Sequence, residues 1–185
     1  MSEQGQIVRL LQKRYATRSI DTKTLEESVI SDILEAARLT PSCYNKQPWR
    51  YLFLESEEAR QKGIKALADA NKPWASRAPL LIIGTTREKD DCVLPGRSYH
   101  QFDLGLSVMN IMLAATEHDL VARPMAGFSP ETARELFGLD NEDEPLIMLA
   151  IGHPSDDEAH LPEHYKGAED KPRERKAADQ ITQRL

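Results

Sequence analysis

The amino-acid sequence predicts an α+β fold in which helices flank a small mixed sheet. Three apolar runs, at 49–54, 80–86 and 146–151, have the length of strands and lack polar alternation, which is typical of strands buried on both faces. The segments between them carry apolar residues at helical spacing, and alternating strands and helices build a layered sandwich. The 185 residues contain no repeat, so we predict a single domain over 1–185.

Two helices are predicted before the first strand. Apolar residues at helical spacing over 7–15 predict an amphipathic helix that ends near Arg14. Thr24 and Glu27 have the spacing of a capping box, which predicts that a second helix begins there and ends before Pro41.

Three further helices are predicted along the rest of the chain. Ser56 and Ser129 are N-cap residues for two of them, and Gly138 ends the second of these. The other helix, over 102–118, is apolar in every direction and must be covered on all sides. It is either a core helix or a subunit interface. We favour the interface, because a small core in a chain with 40% hydrophobic residues cannot surround a whole helix.

The composition limits the partners and the location of the protein. A net charge of −6 argues against a general nucleic-acid surface, and no apolar stretch approaches the ~20 residues that span a bilayer. Residues 1–14 lack the basic start and apolar middle of a secretion signal, so we expect a cytoplasmic protein with no membrane segment. Cys43 and Cys92 form no C-x-x-C pattern and fit a reducing compartment, where thiols stay unpaired.

Two basic clusters stand out in this acidic chain, KRYATRS at 13–19 and KPRERK at 171–176. Each is either a solvated charge run or a site for phosphate, the ligand that best uses several guanidinium groups. Arg18 lies past the first helix beside a polar loop, which favours a site. From 155 onward the chain is almost wholly polar, so we predict an extended basic tail over 155–185 that packs on the body or on a partner subunit.

Several familiar motifs of binding and catalysis are missing from the sequence. It contains no G-x-G-x-x-G, no G-x-x-x-x-G-K and no G-x-S-x-G elbow. His160 and His164 are separated by Pro162, and no further ligand stands at metal spacing. We therefore expect no metal site, and we name no catalytic side chain.

The stretch TPSCYNKQPW at 40–49 is the most unusual part of the chain. Pro41 and Pro48 fix φ and bias the residues before them toward extended backbone, so the polar loop between them is stiff and suits a ligand. Its P-S-x-x-N-x-Q-P-W pattern combines with R-Y-A-T-R-S at 14–19, P-M-A-G-F at 124–128 and the basic tail. In that order, over most of its length, the chain resembles the FMN-dependent nitroreductase family.

The resemblance implies a nitroreductase-like three-layer sandwich and an intertwined homodimer, with two FMN sites across the subunit interface and NADH or NADPH as the electron donor. The protein itself carries little acid–base chemistry in such a site, because the flavin transfers the hydride. The residues that the resemblance assigns to FMN are Arg14, Tyr15, Ala16, Arg18, Pro41, Ser42, Cys43, Asn45, Gln47, Ala126, Gly127, Arg173 and Arg175.

The resemblance also implies roles for the charged residues. Arg14 would lie near the phosphate, and Arg18 near the flavin pyrimidine, where a fixed cation stabilises the reduced ring. Arg173 and Arg175 would be the second pair of phosphate ligands, with Lys171 as the alternative to one of them.

The neutral residues would shape the ring site. From the opposite subunit, Pro41, Ser42, Cys43 and Asn45 would close over the flavin, with Gln47 supporting that loop. The backbone N–H groups at Ala126 and Gly127 would face flavin N5, and the glycine would allow close approach of the ring.

The chain departs from the family pattern at some positions. Ala16 stands where many members carry a serine that touches the phosphate, which removes about 1 kcal/mol of FMN affinity unless a backbone N–H or Thr17 replaces it. The polar connector at 87–101 replaces a larger helical cover. Asn71, Trp74 and Tyr99 are either flavin-facing residues or ordinary surface and core residues.

The leading functional hypothesis is an FMN-dependent oxidoreductase that uses NAD(P)H in a ping-pong cycle to reduce nitroaromatics, quinones or similar electron-poor acceptors. Two alternatives share the scaffold, an enone or semialdehyde reductase and a reductive dehalogenase. Two others come from different classes, a flavin-binding protein without turnover and a purely structural dimer.

Overall fold

A computed structural model describes residues 5–168 and 173–185. The helices are α1 (Gln6–Lys13), α2 (Glu27–Arg38), α3 (Glu57–Ala66), α4 (Lys72–Ala75), α5 (His100–Glu117) and α6 (Pro130–Phe137). The strands are β1 (Trp49–Leu54), β2 (Leu80–Thr86), β3 (Val121–Met125) and β4 (Glu144–Gly152). Short 3-10 turns lie at Cys43–Asn45, Glu88–Asp90, Glu163–Tyr165 and Ala178–Gln180.

The four strands form one sheet in the order β1-β2-β4-β3, and all of its pairings are antiparallel. The α+β prediction is confirmed, whereas the prediction of a mixed sheet is wrong. Helices between strands suggested parallel crossovers, but the chain after β1 turns back so that Trp49 pairs with Thr86. The sequence analysis also misses β3, which contains Pro124. Proline is tolerated there because β3 lies at the edge of the sheet.

The sheet separates two apolar layers. Successive residues of a strand point to opposite faces, so β2 and β4 contribute to both layers. Leu81 and Met148 belong to the layer beneath α3, α4 and α6, whereas Ile82 and Leu149 belong to the layer beneath α2 and α5. This arrangement is the three-layer sandwich that the resemblance implies.

Side-chain caps set the start of two helices, α3 and α6. The hydroxyls of Ser56 and Ser129 each accept the backbone N–H three residues further on, at 3.1 Å, as predicted. The predicted capping box at Thr24 is wrong: α2 begins at Glu27, and Glu26 is its N-cap without a side-chain cap. The first helical N–H groups of α2 bind the Glu26 carbonyl, so the turn that contains Thr24 lies outside the helix.

Both α1 and α5 leave apolar side chains uncovered within the single chain, as α2 does at Leu34. The helix predicted over 102–118 is α5, which buries Leu104 and Ile111 but leaves Phe102 59% and Leu106 36% exposed. No residue of α1 is buried, and Ile7 is 60% exposed. The assignment of α5 to a subunit interface stays a prediction.

The tail has two described parts. Leu161 is buried and Tyr165 packs against the same core cluster, so 155–168 lies on the body. Residues 173–185 are exposed, and Arg173 contacts the end of α1. Within the described ranges, no helix is long and apolar enough to span a bilayer.

Candidate functional site

Three arginines meet where α1 ends and the tail passes. Arg14 follows α1 directly, and the guanidinium of Arg173 donates hydrogen bonds to the backbone carbonyls of Gln12 and Arg14. Arg173 and Arg175 also line a cavity of about 280 Å³ beside α1. We call Arg14, Arg173 and Arg175 the arginine cluster. Lys171, the alternative phosphate ligand, lies outside the described residues.

The electrostatics of the arginine cluster favour an anion. Burial lowers the pKa of Arg14, and the positive charges of Arg173 and Arg175 lower it further. A lowered pKa means that the folded chain holds the Arg14 cation at a free-energy cost, which a bound anion would offset. Guanidinium groups donate in a planar fork that matches phosphate oxygens. The chemistry of this donor set therefore suits a phosphate group.

The segment between α1 and the body carries the other predicted residues of this region. Arg123 of β3 donates a hydrogen bond to the carbonyl of Ala16, which ties the segment to the strand that leads to 126–127. The guanidinium carbon of Arg18 lies 4.1 Å from the centroid of the Tyr165 ring. Tyr15 is 41% exposed. Thr17 is buried, and its hydroxyl accepts the Ser19 N–H at 3.0 Å.

The loop over 41–48 is closed by its own hydrogen bonds. The Ser42 hydroxyl accepts the Gln47 N–H at 2.9 Å, and the Ser42 carbonyl accepts the Asn45 N–H at 3.0 Å. The Gln47 side-chain amide donates to the Asn45 carbonyl at 3.0 Å. Three residues have positive φ, Tyr44 at 48°, Asn45 at 56° and Gln47 at 49°. Such backbone is costly away from glycine and is concentrated at functional sites.

A buried carboxylate anchors this loop to α5. Asp103 is 1% exposed, and its Oδ2 accepts the Cys43 N–H at 3.0 Å. Burial raises the pKa of Asp103, and the nearby charge of Asp91 raises it further. The Cys43 N–H partly offsets the cost of burying the charge, since a backbone donor stabilises a carboxylate.

Cys43 and Cys92 are joined in a disulfide across a sequence separation of 49 residues, so the expectation of unpaired thiols is wrong. The sheet register explains how they meet. Because Trp49 pairs with Thr86, the loop before β1 lies beside the connector that follows β2. The Arg87 N–H binds the Pro48 carbonyl at 3.2 Å at the same place.

The connector over 87–99 is ordered around one side chain, the carboxylate of Asp91. That carboxylate accepts the N–H groups of Cys92 and Tyr99, each at 2.7 Å, and the Ser98 hydroxyl at 2.9 Å. Both segments that the disulfide joins are thus held by local hydrogen bonds.

A cavity of about 340 Å³ lies between the loop, the connector and α5. Its lining is mostly apolar, with Ser42 of the loop and Asp103 of α5 among the polar residues. Its lining residues are Pro41, Ser42, Cys43, Leu94, Tyr99, Phe102, Asp103 and Leu106.

The backbone at Ala126 and Gly127 is held against the segment before α4. The Gly127 carbonyl accepts the Ala68 N–H at 2.9 Å and the Asn71 side-chain amide at 3.0 Å. A Cβ on Gly127 would lie 2.8 Å from Asn71 Nδ2, so this contact requires glycine. Of the residues considered for the flavin face, Asn71 holds this backbone and Trp74 is fully buried in the core.

The structure therefore brings the predicted site residues together in three groups: the 14–18 segment with the tail arginines, the 41–48 loop, and the backbone at 126–127. Sequence reasoning misses the residues that hold these groups in place. Asp103 could have been noticed as an acid in the first turn of the apolar helix α5, whereas nothing in the sequence indicates the role of Arg123.

A third cavity, of about 570 Å³, lies away from these groups and is lined mostly by charged residues, among them Glu88, Lys89 and Glu142. Arg87 and Asp143 form an ion pair at 2.6 Å beside it, which satisfies the buried carboxylate. Among the described residues, no three His, Cys, Asp or Glu side chains are grouped so that they could hold a metal ion.

Comparisons with known proteins agree on one family. Residues 11–78 and 65–153 match the model of the Nitroreductase family. A relative from Bacillus subtilis (strain 168), YdgI, provisionally named an NAD(P)H nitroreductase, is 27% identical over 193 aligned residues, covering 85% of this chain and 92% of the relative. The major NAD(P)H-flavin oxidoreductase of Aliivibrio fischeri is 26% identical over 209 aligned residues, covering 89% of this chain and 96% of that protein.

The fold is also shared with solved structures. A crystal structure described as an oxidoreductase containing FMN superimposes with a TM-score of 0.86 at 23% sequence identity, covering 98% of this chain and 92% of that one. The family model spans more than half of the chain, and the resemblance carried by its motifs is confirmed. This chain belongs to the nitroreductase family.

Proposed function

We propose that this chain is an FMN-dependent oxidoreductase that takes electrons from NADH or NADPH and passes them to nitroaromatics, quinones or similar electron-poor acceptors in a ping-pong cycle. The observation that carries the proposal is the arginine cluster. It joins Arg14 to two arginines that lie 159 and more residues further along an acidic chain.

The residues present fit FMN. The arginine cluster offers charge-assisted hydrogen bonds, worth about 1.5–3 kcal/mol each, to a phosphate group. The stiff 41–48 loop and the apolar cavity beside it offer a surface for a planar ring. The Ala126–Gly127 backbone is fixed by hydrogen bonds from Ala68 and Asn71 to the Gly127 carbonyl.

Each group has a distinct part in this proposal. Arg14, Arg173 and Arg175 would hold the phosphate, and Arg18 would place a positive charge near the pyrimidine edge, which stabilises negative charge there. The 41–48 loop would cover the ring and exclude water, and the backbone N–H groups at 126–127 would orient it. When bound, FMN supplies the hydride chemistry, so the chain needs no catalytic side chain of its own.

The names of relatives support the donor and the cofactor. The Aliivibrio fischeri relative is named for NAD(P)H and flavin, and the structure with a TM-score of 0.86 is described as containing FMN. We transfer FMN and NAD(P)H to this chain on that basis, together with the donor set described above.

We also propose a homodimer with the FMN sites at its interface. Apolar side chains that one chain leaves uncovered support it: Ile7, Val8, Leu11 and Tyr15 near α1, and Phe102 and Leu106 on α5. Burying such surface releases about 25 cal/mol per Å². Sedimentation of the flavin-loaded protein at low concentration tests the proposal, because a loaded monomer would contradict a shared site.

The function is tested by colour and by anaerobic reduction. The purified protein, supplied with FMN and passed through ultrafiltration, should stay yellow, and NADH or NADPH should bleach it in the absence of oxygen. Addition of a nitroaromatic or a quinone should then restore the colour. Loss of all flavin on ultrafiltration would contradict the proposal. Retained flavin that neither dinucleotide bleaches would instead make this a flavin-binding protein without turnover.

We propose the cytoplasm as the location, because the proposed electron donor is a soluble dinucleotide of cell metabolism. The disulfide does not exclude it, since disulfides in cytosolic proteins are usually transient and either catalytic or redox-sensing. Fractionation of the producing cells, followed by detection of this chain, tests the location.

A further inference from the structure

The Cys43–Cys92 disulfide lies at the proposed FMN site. Cys43 belongs to the 41–48 loop, which under the proposed function covers the ring, and it lines the 340 Å³ cavity together with Pro41 and Tyr99. Cys92 belongs to the connector, whose Leu94 also lines this cavity. No role in the proposed function requires a sulfur at either position.

The two sulfur-bearing residues differ in access to solvent. Cys92 is 3% exposed, whereas Cys43 is partly exposed. Thiol–disulfide chemistry depends on which sulfur a reagent can reach. Cys43 is therefore the more exposed residue of the pair, and Cys92 is the buried one.

The bond can open without unfolding either segment. Hydrogen bonds between Ser42 and Gln47 close the loop, and Asp103 holds the Cys43 N–H. On the other side, Asp91 holds Cys92 and Tyr99 through their N–H groups. Each thiol would thus remain beside its partner after reduction, which favours reversible closure.

Resting on the proposed function, we propose that Cys43 and Cys92 form a second redox centre of this chain, a disulfide that accepts two electrons originating from NAD(P)H by way of the bound FMN. The S–S bond breaks, and two electrons and two protons yield two thiols. One NAD(P)H is oxidised to NAD(P)⁺ and supplies one proton, and solvent supplies the other. Reoxidation by a disulfide substrate begins at Cys43, and Cys92 then displaces the mixed disulfide, so that the substrate leaves as two thiols.

The test is an anaerobic titration of the FMN-loaded protein with NADH, or with NADPH if that is the effective donor. The flavin spectrum is recorded, and the protein is then unfolded, alkylated with iodoacetamide and weighed by mass spectrometry. We expect two dinucleotide equivalents per FMN and two alkylated cysteines, against none before titration. The Cys43→Ser/Cys92→Ser variant should bleach with one equivalent. Apoprotein without FMN should keep the disulfide when the dinucleotide is added.

The outcomes separate this inference from the proposed function. Flavin that bleaches with one equivalent in the wild type, with no alkylated cysteine, overturns the redox centre and leaves the oxidoreductase intact. Flavin that is retained but not bleached by either dinucleotide overturns the proposed enzyme, and with it the electron source of the disulfide. Because the wild type carries the decisive measurement, poor folding of the double serine variant does not affect the test.

Discussion

The arginine cluster and the 41–48 loop are held by different forces. The cluster joins segments from distant parts of the chain, is largely exposed, and gathers positive charges that lower the pKa of Arg14. The loop is built within a few residues, by hydrogen bonds between Ser42, Asn45 and Gln47, and is fastened by Asp103 and a disulfide.

Because of this difference, we expect the arginine cluster to determine how tightly the cofactor is retained and the 41–48 loop to determine the shape of the site. A cluster of like charges is stabilised by a bound anion. We therefore expect substitutions in the cluster to change the affinity for that anion. A loop whose backbone groups are hydrogen-bonded within the loop is rigid before any ligand arrives. We therefore expect substitutions in the loop to change the free energy of unfolding and the access of substrates to the ring. Variants in the two regions should therefore change different measurements.

The largest effect is expected from the arginine cluster. Arg14→Ala should raise the Kd for FMN about 10- to 150-fold, which corresponds to the loss of one charge-assisted hydrogen bond of about 1.5–3 kcal/mol. Arg175→Ala should act in the same direction. Fluorescence titration of apoprotein with FMN measures the Kd, and added salt should weaken wild-type binding because exposed charges are screened.

Lys62→Ala is the matched control, because Lys62 is an exposed cation on α3 whose described partner is Glu58 at 3.0 Å. It should leave the Kd for FMN unchanged. Equal increases in the Kd for FMN in Arg14→Ala, Arg175→Ala and Lys62→Ala would show a nonspecific effect of charge. That result would contradict a phosphate site at the arginine cluster.

A smaller effect, on stability rather than affinity, is expected at Asp103. Asp103→Ala leaves the Cys43 N–H without its acceptor and should lower the free energy of unfolding by about 1–3 kcal/mol. Asp103→Asn keeps an oxygen that accepts the bond and should stay within about 1 kcal/mol of the wild type. Urea unfolding monitored by fluorescence provides the measurement, and equal losses in both variants would contradict the hydrogen-bond argument.

The pH dependence at Asp103 has a definite sign. Burial raises the pKa of Asp103 in the folded chain, so folding disfavours the ionised carboxylate. This group therefore lowers stability as pH rises from the ordinary carboxyl pKa through the raised folded pKa, and it contributes no penalty below both. Asp103→Asn should gain stability relative to the wild type across that window. A difference that stays constant with pH would contradict the raised pKa.

The smallest effect is expected where Asn71 holds Gly127. Asn71→Ala removes one hydrogen bond to the Gly127 carbonyl, which still accepts the Ala68 N–H. The free energy of unfolding should therefore fall by about 1 kcal/mol. Gly127→Ala should cost stability by displacing the Asn71 amide, which would lie 2.8 Å from the new Cβ. The double variant should lose less than the sum of the two single losses, because both disturb the same contact.

The sequence predicts three of the four strands, β1, β2 and β4, and does not predict the edge strand β3. β1 and β2 occupy the predicted ranges, because a short continuous apolar run bounded by proline and charged residues is typical of a buried strand. β3 is short and contains Arg123 and Pro124, so its pattern does not resemble a buried strand. Strand direction was also beyond the sequence, because nothing local fixes whether the chain crosses over or turns back.

Within the site, sequence motifs identify the candidate binding residues but not the residues that hold them in place. The sequence indicates Arg14 and the tail arginines as one functional set, and the structure places them together. The Cys43–Cys92 bond and the Asp103 anchor depend on a sheet register that pairs Trp49 with Thr86. Contacts of that kind follow from tertiary structure and leave no periodic signal in a single sequence.

The bonds from Arg173 to the carbonyls of Gln12 and Arg14 also affect when the arginine cluster is completed during translation. Arg173 is synthesised 159 residues after Arg14, which at about 5–20 residues per second is a delay of roughly 8–30 s. During that interval the α1 end of the proposed phosphate site exists without its other half. A nascent chain still on the ribosome should therefore retain the flavin poorly, and cofactor capture becomes a late step that follows the folding of the sheet.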